Sequence, residues 1–177
     1  MRTYGNFQWE LNKPVKTSGN GELCSPGWLH FYEHPLLAIL HNSLHADIEN
    51  PRLFRAKVSG KCLKDGQLKI GYTHAILTKE LPLPKITLNQ KIAYAILCAK
   101  AVYKEEKSFI KWADNWLGGK NRTVKVANAA TYAAVDINLI KLADIKWADN
   151  WLGGKNRTVK AAANINLIKL AEKAMRY

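Results

Sequence analysis

The sequence predicts an α+β protein: a small antiparallel β-domain with one helix over residues 1–81, a proline linker at 82–86, and an all-α domain over 87–177 that contains a duplicated helix pair. Three observations predict it. Glycine and proline crowd the first half, whereas no proline follows Pro84 and Ala, Lys, Leu and Ile dominate from there on; such a shift separates turn-rich β structure from helix. In the first half apolar residues alternate with polar ones at a period of two, the pattern of half-buried strands. Sixteen residues, IKWADNWLGGKNRTVK, occur at 110–125 and again at 145–160, an offset of 35, which is the length of one helix pair in a stacked array.

The elements follow in order. Phe7, Trp9 and Leu11 alternate with polar neighbours and read as a first strand. Pro35, with its fixed φ and missing N–H, suits the first turn of a short helix over 35–46. Phe54, Ala56 and Val58 alternate with Arg55, Lys57 and Ser59, and Leu68, Ile70 and Tyr72 alternate with Lys69 and Gly71. Between them Asp65-Gly66 supplies the positive-φ pair of a type I′ turn, so 52–63 and 67–72 read as a hairpin. Residues 74–81 form a further strand before Leu81-Pro82-Leu83-Pro84, which can neither pair centrally nor continue a helix.

The second half opens with Thr87-Leu-Asn-Gln90, the spacing of a capping box, ahead of a helix over 88–104. In the first repeat, Phe109, Trp112, Ala113, Trp116 and Leu117 fall on one helical stripe, and Trp147, Ala148, Trp151 and Leu152 repeat it. Gly118-Gly119 and Gly153-Gly154 end these helices, because glycine takes the left-handed conformation at no steric cost, and Asn121 and Asn156 are placed to cap the helices that follow. INLIKLA also recurs, at 137–143 and 165–171, but offset by 28. The seven missing residues are about two helical turns, so the second copy (145–177) shortens its helix relative to the first (110–144) without rotating the apolar face.

The chain has 177 residues, 47% hydrophobic and 23% charged, which excludes a disordered or fibrous protein. No run approaches the roughly 18 apolar residues of a membrane span, and Met1-Arg2-Thr3-Tyr4-Gly5-Asn6 lacks the apolar stretch of a signal peptide, so no membrane association is expected. Three cysteines far apart, Cys24, Cys62 and Cys98, fit a reducing compartment. The charge is the unusual feature. The formal net charge is +13, with 11 basic and 7 acidic residues up to Leu88 and 16 basic and 7 acidic beyond it. Such an excess points to a polyanionic or acidic partner.

The candidate binding residues are the two cationic turns of the repeat: Lys120, Arg122 and Lys125, matched by Lys155, Arg157 and Lys160. Each set sits where a helix starts, beside free backbone N–H groups, and stacked repeats would place the sets side by side as a ladder for phosphates. The tryptophan pairs at i and i+4 are assigned to the core rather than to base stacking. Cys24, His30, His34, His41 and His45 lack the paired ligand spacing of a zinc site, so no metal is expected. No phosphate-binding loop, dinucleotide fingerprint or nucleophile elbow occurs, so no catalytic residue and no cofactor is expected either.

The run Cys24-Ser-Pro-Gly27-Trp-Leu-His30-Phe-Tyr-Glu-His34-Pro35-Leu36, the Arg55-to-Gly60 strand and the ILTKEL ending resemble a small uncharacterised domain family of phage and prophage proteins. The chain departs from that pattern by one extra residue between Gly27 and His30 and by Tyr32 where Cys or Ala is usual. The W-x-x-x-W-L-x-G-x-x-R-T runs at 112–123 and 147–158 are similar to Ala-rich helical tails of phage proteins. The resemblance implies a viral or prophage origin, hence action in the host bacterial cytoplasm, and transfers no chemistry. More loosely, a strand, Gly27-x-x-His30-Phe31-Tyr32, a helix and a meander ending in Glu80 resemble a reduced ADP-ribosyltransferase core, which implies a transferase acting on a nicotinamide nucleotide near His30 and Tyr32.

Three functions are therefore expected. The first is a non-enzymatic counter-defence inhibitor, of the anti-CRISPR kind, that blocks a host defence nuclease or ribonucleoprotein through the basic helical face. The second is sequence-independent nucleic-acid binding by the basic turns. The third is the transferase.

Overall fold

The computed structural model of the protein describes residues 7–102, 104, 107–120, 122 and 165–177. The chain divides into two units, Met1–Lys85 and Ile86–Tyr177. The first combines an antiparallel sheet with short helices, and the described elements of the second are helical, so the α+β expectation holds at that level.

The sheet is built around one long strand. In chain order the elements are β1 (Pro14–Lys16), β2 (Leu29–Phe31), α1 (Pro35–Leu40), α2 (Asn42–His45), β3 (Leu53–Asp65) and β4 (Lys69–Leu81). β3 pairs along one edge of β4 for most of its length, while β1 and β2 share the other edge, opposite His74–Ile76 and Ile70–Tyr72 respectively. The expected separate strands at 67–72 and 74–81 are thus a single strand. The reason is that both stretches find partners on both edges, so nothing breaks the ladder between them. The turn also differs from type I′: Asp65 still pairs with Lys69, Leu68 N donates to Asp65 O at 2.9 Å, and Gly66 alone takes positive φ.

β3 carries two irregularities, between Arg55 and Ala56 and between Ser59 and Cys62. At the second, Gly60 has φ +83°, a conformation that side-chain-bearing residues avoid. The bulge frees the Lys61 N–H from the ladder, and Thr73 Oγ1 accepts it at 3.0 Å.

The first strand is displaced from its expected place. Of Phe7, Trp9 and Leu11 only Trp9 is buried, and it joins Leu29, Ala75 and Leu77 in the core, with Val15, Phe31, Phe54 and Ala56 packed around them. Leu11 makes one parallel bridge to Leu77, after which Asn12 takes φ +59° and the strand proper begins at Pro14. The expected helix over 35–46 is two helices. Pro35 does open the first, with His34 as N-cap whose Nδ1 accepts from Leu36 N at 3.3 Å. His41 then leaves helical geometry (φ −98°, ψ 2°) before Asn42 starts α2. Its ring is buried against Tyr32 and His45, with centroids 5.9 and 5.6 Å away.

In the second unit, α3 (Leu88–Val102) starts on the expected capping box: Thr87 N donates to Gln90 Oε1 at 2.9 Å and Gln90 N to Thr87 Oγ1 at 3.2 Å. From Ile92 to Ala99 every residue is buried, as expected of a helix apolar all round. α4 (Lys107–Leu117) presents the predicted stripe, with Ala113 and Trp116 buried. Lys100 of α3 pairs with Asp114 of α4. α5 (Leu167–Ala174) is capped by Asn166, whose side chain accepts from Lys169 N at 3.0 Å, and Gln90 Nε2 ties it to α3 by donating to Met175 O at 3.0 Å. The remainder of the duplication, including Trp147, Trp151 and the Gly153-Gly154 stop, lies outside the described residues.

Candidate functional site

α1, the segment around Ile48–Asn50 and the sheet face enclose a cleft of about 700 Å³. Its size is that of small-molecule sites. The wall is a run of rings: Trp9 meets Phe31 at 6.2 Å and 74°, and Phe31 meets Tyr72 at 6.4 Å and 61°, so each ring is held edge-to-face by the next. Phe54 and Tyr32 extend it.

Most polar groups of the cleft are already engaged. The Tyr32 hydroxyl is 2.6 Å from His45 Nδ1, with the two rings stacked at 5.9 Å and 11°. Burial raises the Tyr32 phenol well above its ordinary range, which keeps it protonated. His30 Nε2 is hydrogen-bonded to Leu23 O; burial lowers its pKa, the carbonyl acts against that, and Lys69 lowers it further. Glu33 pairs with Lys64 at 3.0 Å. Arg52 grips Glu80 with two bonds, 2.8 Å from Nε and 2.5 Å from Nη2, and lies 5.1 Å over the Phe54 ring. That grip raises the guanidinium pKa and lowers the carboxylate pKa, chiefly by hydrogen bonding. Asn50 and Arg55, also at the cleft border, have no side-chain hydrogen-bond or ion-pair partner among the described residues, and Arg55 alternates along β3 with Phe54 and Ala56, which puts it on the opposite face of the sheet from them.

Arg55 also stands directly opposite Lys79 in the β3–β4 register. Both are exposed, so two cations share one step of the ladder, beside the irregularity between Arg55 and Ala56. Further along β3, Lys57 and Lys61 are exposed and likewise without ion-pair partners among the described residues.

The cationic turn of the first repeat has a different character. Gly119, at φ +85°, ends α4 in a Schellman motif: Lys120 N donates to Asn115 O at 2.8 Å and Gly119 N to Trp116 O at 3.0 Å. Lys120 is exposed beyond it. Arg122 folds back onto the carbonyl end of α4, donating from Nε to Trp116 O at 3.1 Å and from Nη2 to Leu117 O at 3.3 Å. Its guanidinium lies 5.0 Å from the Trp116 ring and 5.8 Å from the Tyr177 ring. A cation there complements the negative end of the helix dipole. Lys125, Lys155, Arg157 and Lys160 lie outside the described residues.

The histidines of the first half separate into roles: His34 caps α1, His30 holds the Leu23 carbonyl, and His41 and His45 pack on Tyr32. Among the described residues no three His, Cys, Asp or Glu side chains converge as metal ligands. No described helix is long and apolar enough to cross a membrane. Asn50 and the opposed Arg55 and Lys79 were missed in the sequence, where nothing marks them; only the strand register reveals the charge pair. No protein-family model, curated protein or solved structure matches the chain, so the chemistry of the site rests on its own residues.

Proposed function

We propose that the protein works by binding, without chemistry of its own, a polyanionic partner: nucleic acid, free or carried in a host defence ribonucleoprotein. The observation that supports this is the outer strand of the sheet. From Arg55 to Lys64, β3 carries four cations and no acid, and only Lys64 is in an ion pair among the described residues. Lys79, opposite Arg55 in the register, adds a further exposed cation beside that strand. The net charge of +13 adds long-range attraction. The engaged state of Tyr32, His30 and Glu33 favours binding over catalysis.

The test is titration of a single-stranded and a duplex oligonucleotide at increasing salt. Affinity falls linearly on a log–log plot, with a slope of about −0.9 per phosphate neutralised on duplex. Lys57→Glu with Lys61→Glu makes that slope shallower and weakens binding at least about tenfold. Lysines on an edge strand also discourage strand addition. A surface serving only that end shows no affinity for the oligonucleotides, and that result sinks the proposal. Pull-down from host lysate with and without nuclease separates the partners: loss of all bands means nucleic acid, and a retained band means direct blockade of a defence protein.

A further inference from the structure

We propose that the sheet face turned away from the core, spanning β1, β4 and the first half of β3, is a docking surface for double-stranded nucleic acid, held by Lys16, Arg55, Lys57 and Lys79. This rests on the polyanion reading above, and it moves the contacts from the edge of β3 to a face three strands wide.

Strand register builds the face. Val15 stands opposite Ala75, and Ala75 opposite Val58. Ala75 is buried in the core, Val15 packs against it, and Val58 lines the cleft. Successive side chains along a strand point to opposite faces, so the neighbours of these three point away from the core. They form two rows, Lys16–His74–Ser59 and Pro14–Ile76–Lys57. Arg55 continues the face beyond the irregularity next to it, because it alternates with Phe54 and Ala56, which pack on the core. Lys79, directly opposite Arg55, shares its face. Adjacent strands lie about 4.8 Å apart and alternate residues about 7 Å apart, so the four cations spread over roughly 10 by 14 Å. All four are exposed and in no ion pair among the described residues, and neither row holds an acid.

Lys61 does not belong to this face. A Cβ added at Gly19 would lie 2.6 Å from Thr73 Cγ2 and 3.1 Å from Lys61 Cδ, so the Lys61 stem shares the side of Thr73. Thr73 alternates with His74, and its side is the other one.

The class of ligand follows from what the face offers and what it lacks. Its rows carry charge but no Phe, Tyr or Trp, and Tyr72, the next residue of that alternation, belongs to the ring wall of the cleft. Single strands draw much of their affinity from bases stacked on such rings. A surface without them reads phosphates alone, and duplex presents these most densely, about one negative charge per 1.7 Å of axis. Each phosphate neutralised also releases more counterion from duplex than from a single strand, with salt slopes of about −0.9 against −0.7. Contacts to phosphate fix position and carry no sequence information, so the binding is indifferent to sequence. The Ser59 hydroxyl, in the row of Lys16, supplies a neutral donor of the kind that also meets phosphate oxygens.

The test is binding of the full chain to a twenty-base-pair duplex, to either of its strands and to a polyphosphate chain, at rising salt. The duplex binds more than about tenfold tighter than either strand at equal salt, and a second duplex of unrelated sequence binds alike. Lys16→Gln and Lys57→Gln, both at exposed positions, each lower duplex affinity at least about threefold and make its salt slope shallower by about 0.9, while circular dichroism stays native. Lys61→Gln leaves the slope unchanged. A single strand that binds as tightly as the duplex, or a duplex affinity indifferent to Lys16→Gln, overturns the proposal. If Lys57→Glu with Lys61→Glu still weakens binding in that case, the contacts lie along the β3 edge and the polyanion reading stands. Failure of duplex, strand and polyphosphate alike to bind removes that reading as well.

Discussion

In the helical unit α3 is buried on every side from Ile92 to Ala99, and Trp116 and Ala113 of α4 are buried with it. In the sheet unit Phe31 and Phe54 pack against the buried cluster of Trp9, Leu29, Ala75 and Leu77, and the rings of Phe31, Phe54 and Tyr72 remain half-exposed along a cleft. The difference teaches where stability and where recognition reside. Closed apolar surface holds a fold together. Apolar surface left open and rimmed by unspent polar groups is available to a ligand.

The largest effect should come from opening the closed core. Trp116→Ala is expected to cost about 3–5 kcal/mol in denaturant unfolding, the range for buried aromatic truncations. A loss below about 1 kcal/mol would mean that the helical unit is not closed around α4. Next comes the sheet. Gly60→Ala forces an L-residue into positive φ and drives its Cβ against Thr73 Oγ1 and His74 Nδ1, so about 2 kcal/mol or more should be lost. A neutral outcome would show that the β3 bulge relaxes freely and that the outer strand is not held in register.

Arg122→Ala sharpens the contrast between the two cationic regions. Because its guanidinium serves the end of α4, stability should fall by about 1 kcal/mol, while oligonucleotide affinity changes far less than in the Lys57→Glu, Lys61→Glu pair. The opposite ranking in the salt titration would return the binding role to the helical turn. The smallest effect is the pH dependence from His30. Burial lowers its pKa from 6.5, so between the folded and unfolded values the unfolded chain binds more protons. Stability from this source is complete above pH 6.5 and is lost as pH falls through the folded value. His30→Gln, which keeps a donor near Leu23 O, should flatten the stability–pH profile in that window; an unaltered profile would show that His30 titrates as in the unfolded chain.

What was legible in the sequence were the features closed within one turn of chain. Thr87 and Gln90 reach each other across three residues, Gly119 needs only its own φ, and Pro35 only its ring. The stripe of Phe109, Ala113 and Trp116 follows from helical periodicity alone. The same logic failed at Phe7, Trp9 and Leu11, where a period of two indicated a strand but Asn12 turned the chain, and only Trp9 reached the core. At Arg122, read as an anion ligand because it lies at a helix start beside free backbone N–H groups, the structure adds contacts that no local pattern marks: its guanidinium turns back to the α4 carbonyls and the Tyr177 ring.

The sequence by itself determined the helix caps, the glycine stop of α4, the shift from sheet to helix and the cationic excess, because these depend on neighbours a few residues apart or on composition. Only the tertiary structure decided that Lys69–Leu81 is one strand paired on both edges, that Arg55 faces Lys79, and that Asn50 and Arg55 border one cleft. Those relations join residues distant along the chain, and strand register, which no local pattern encodes, places them together.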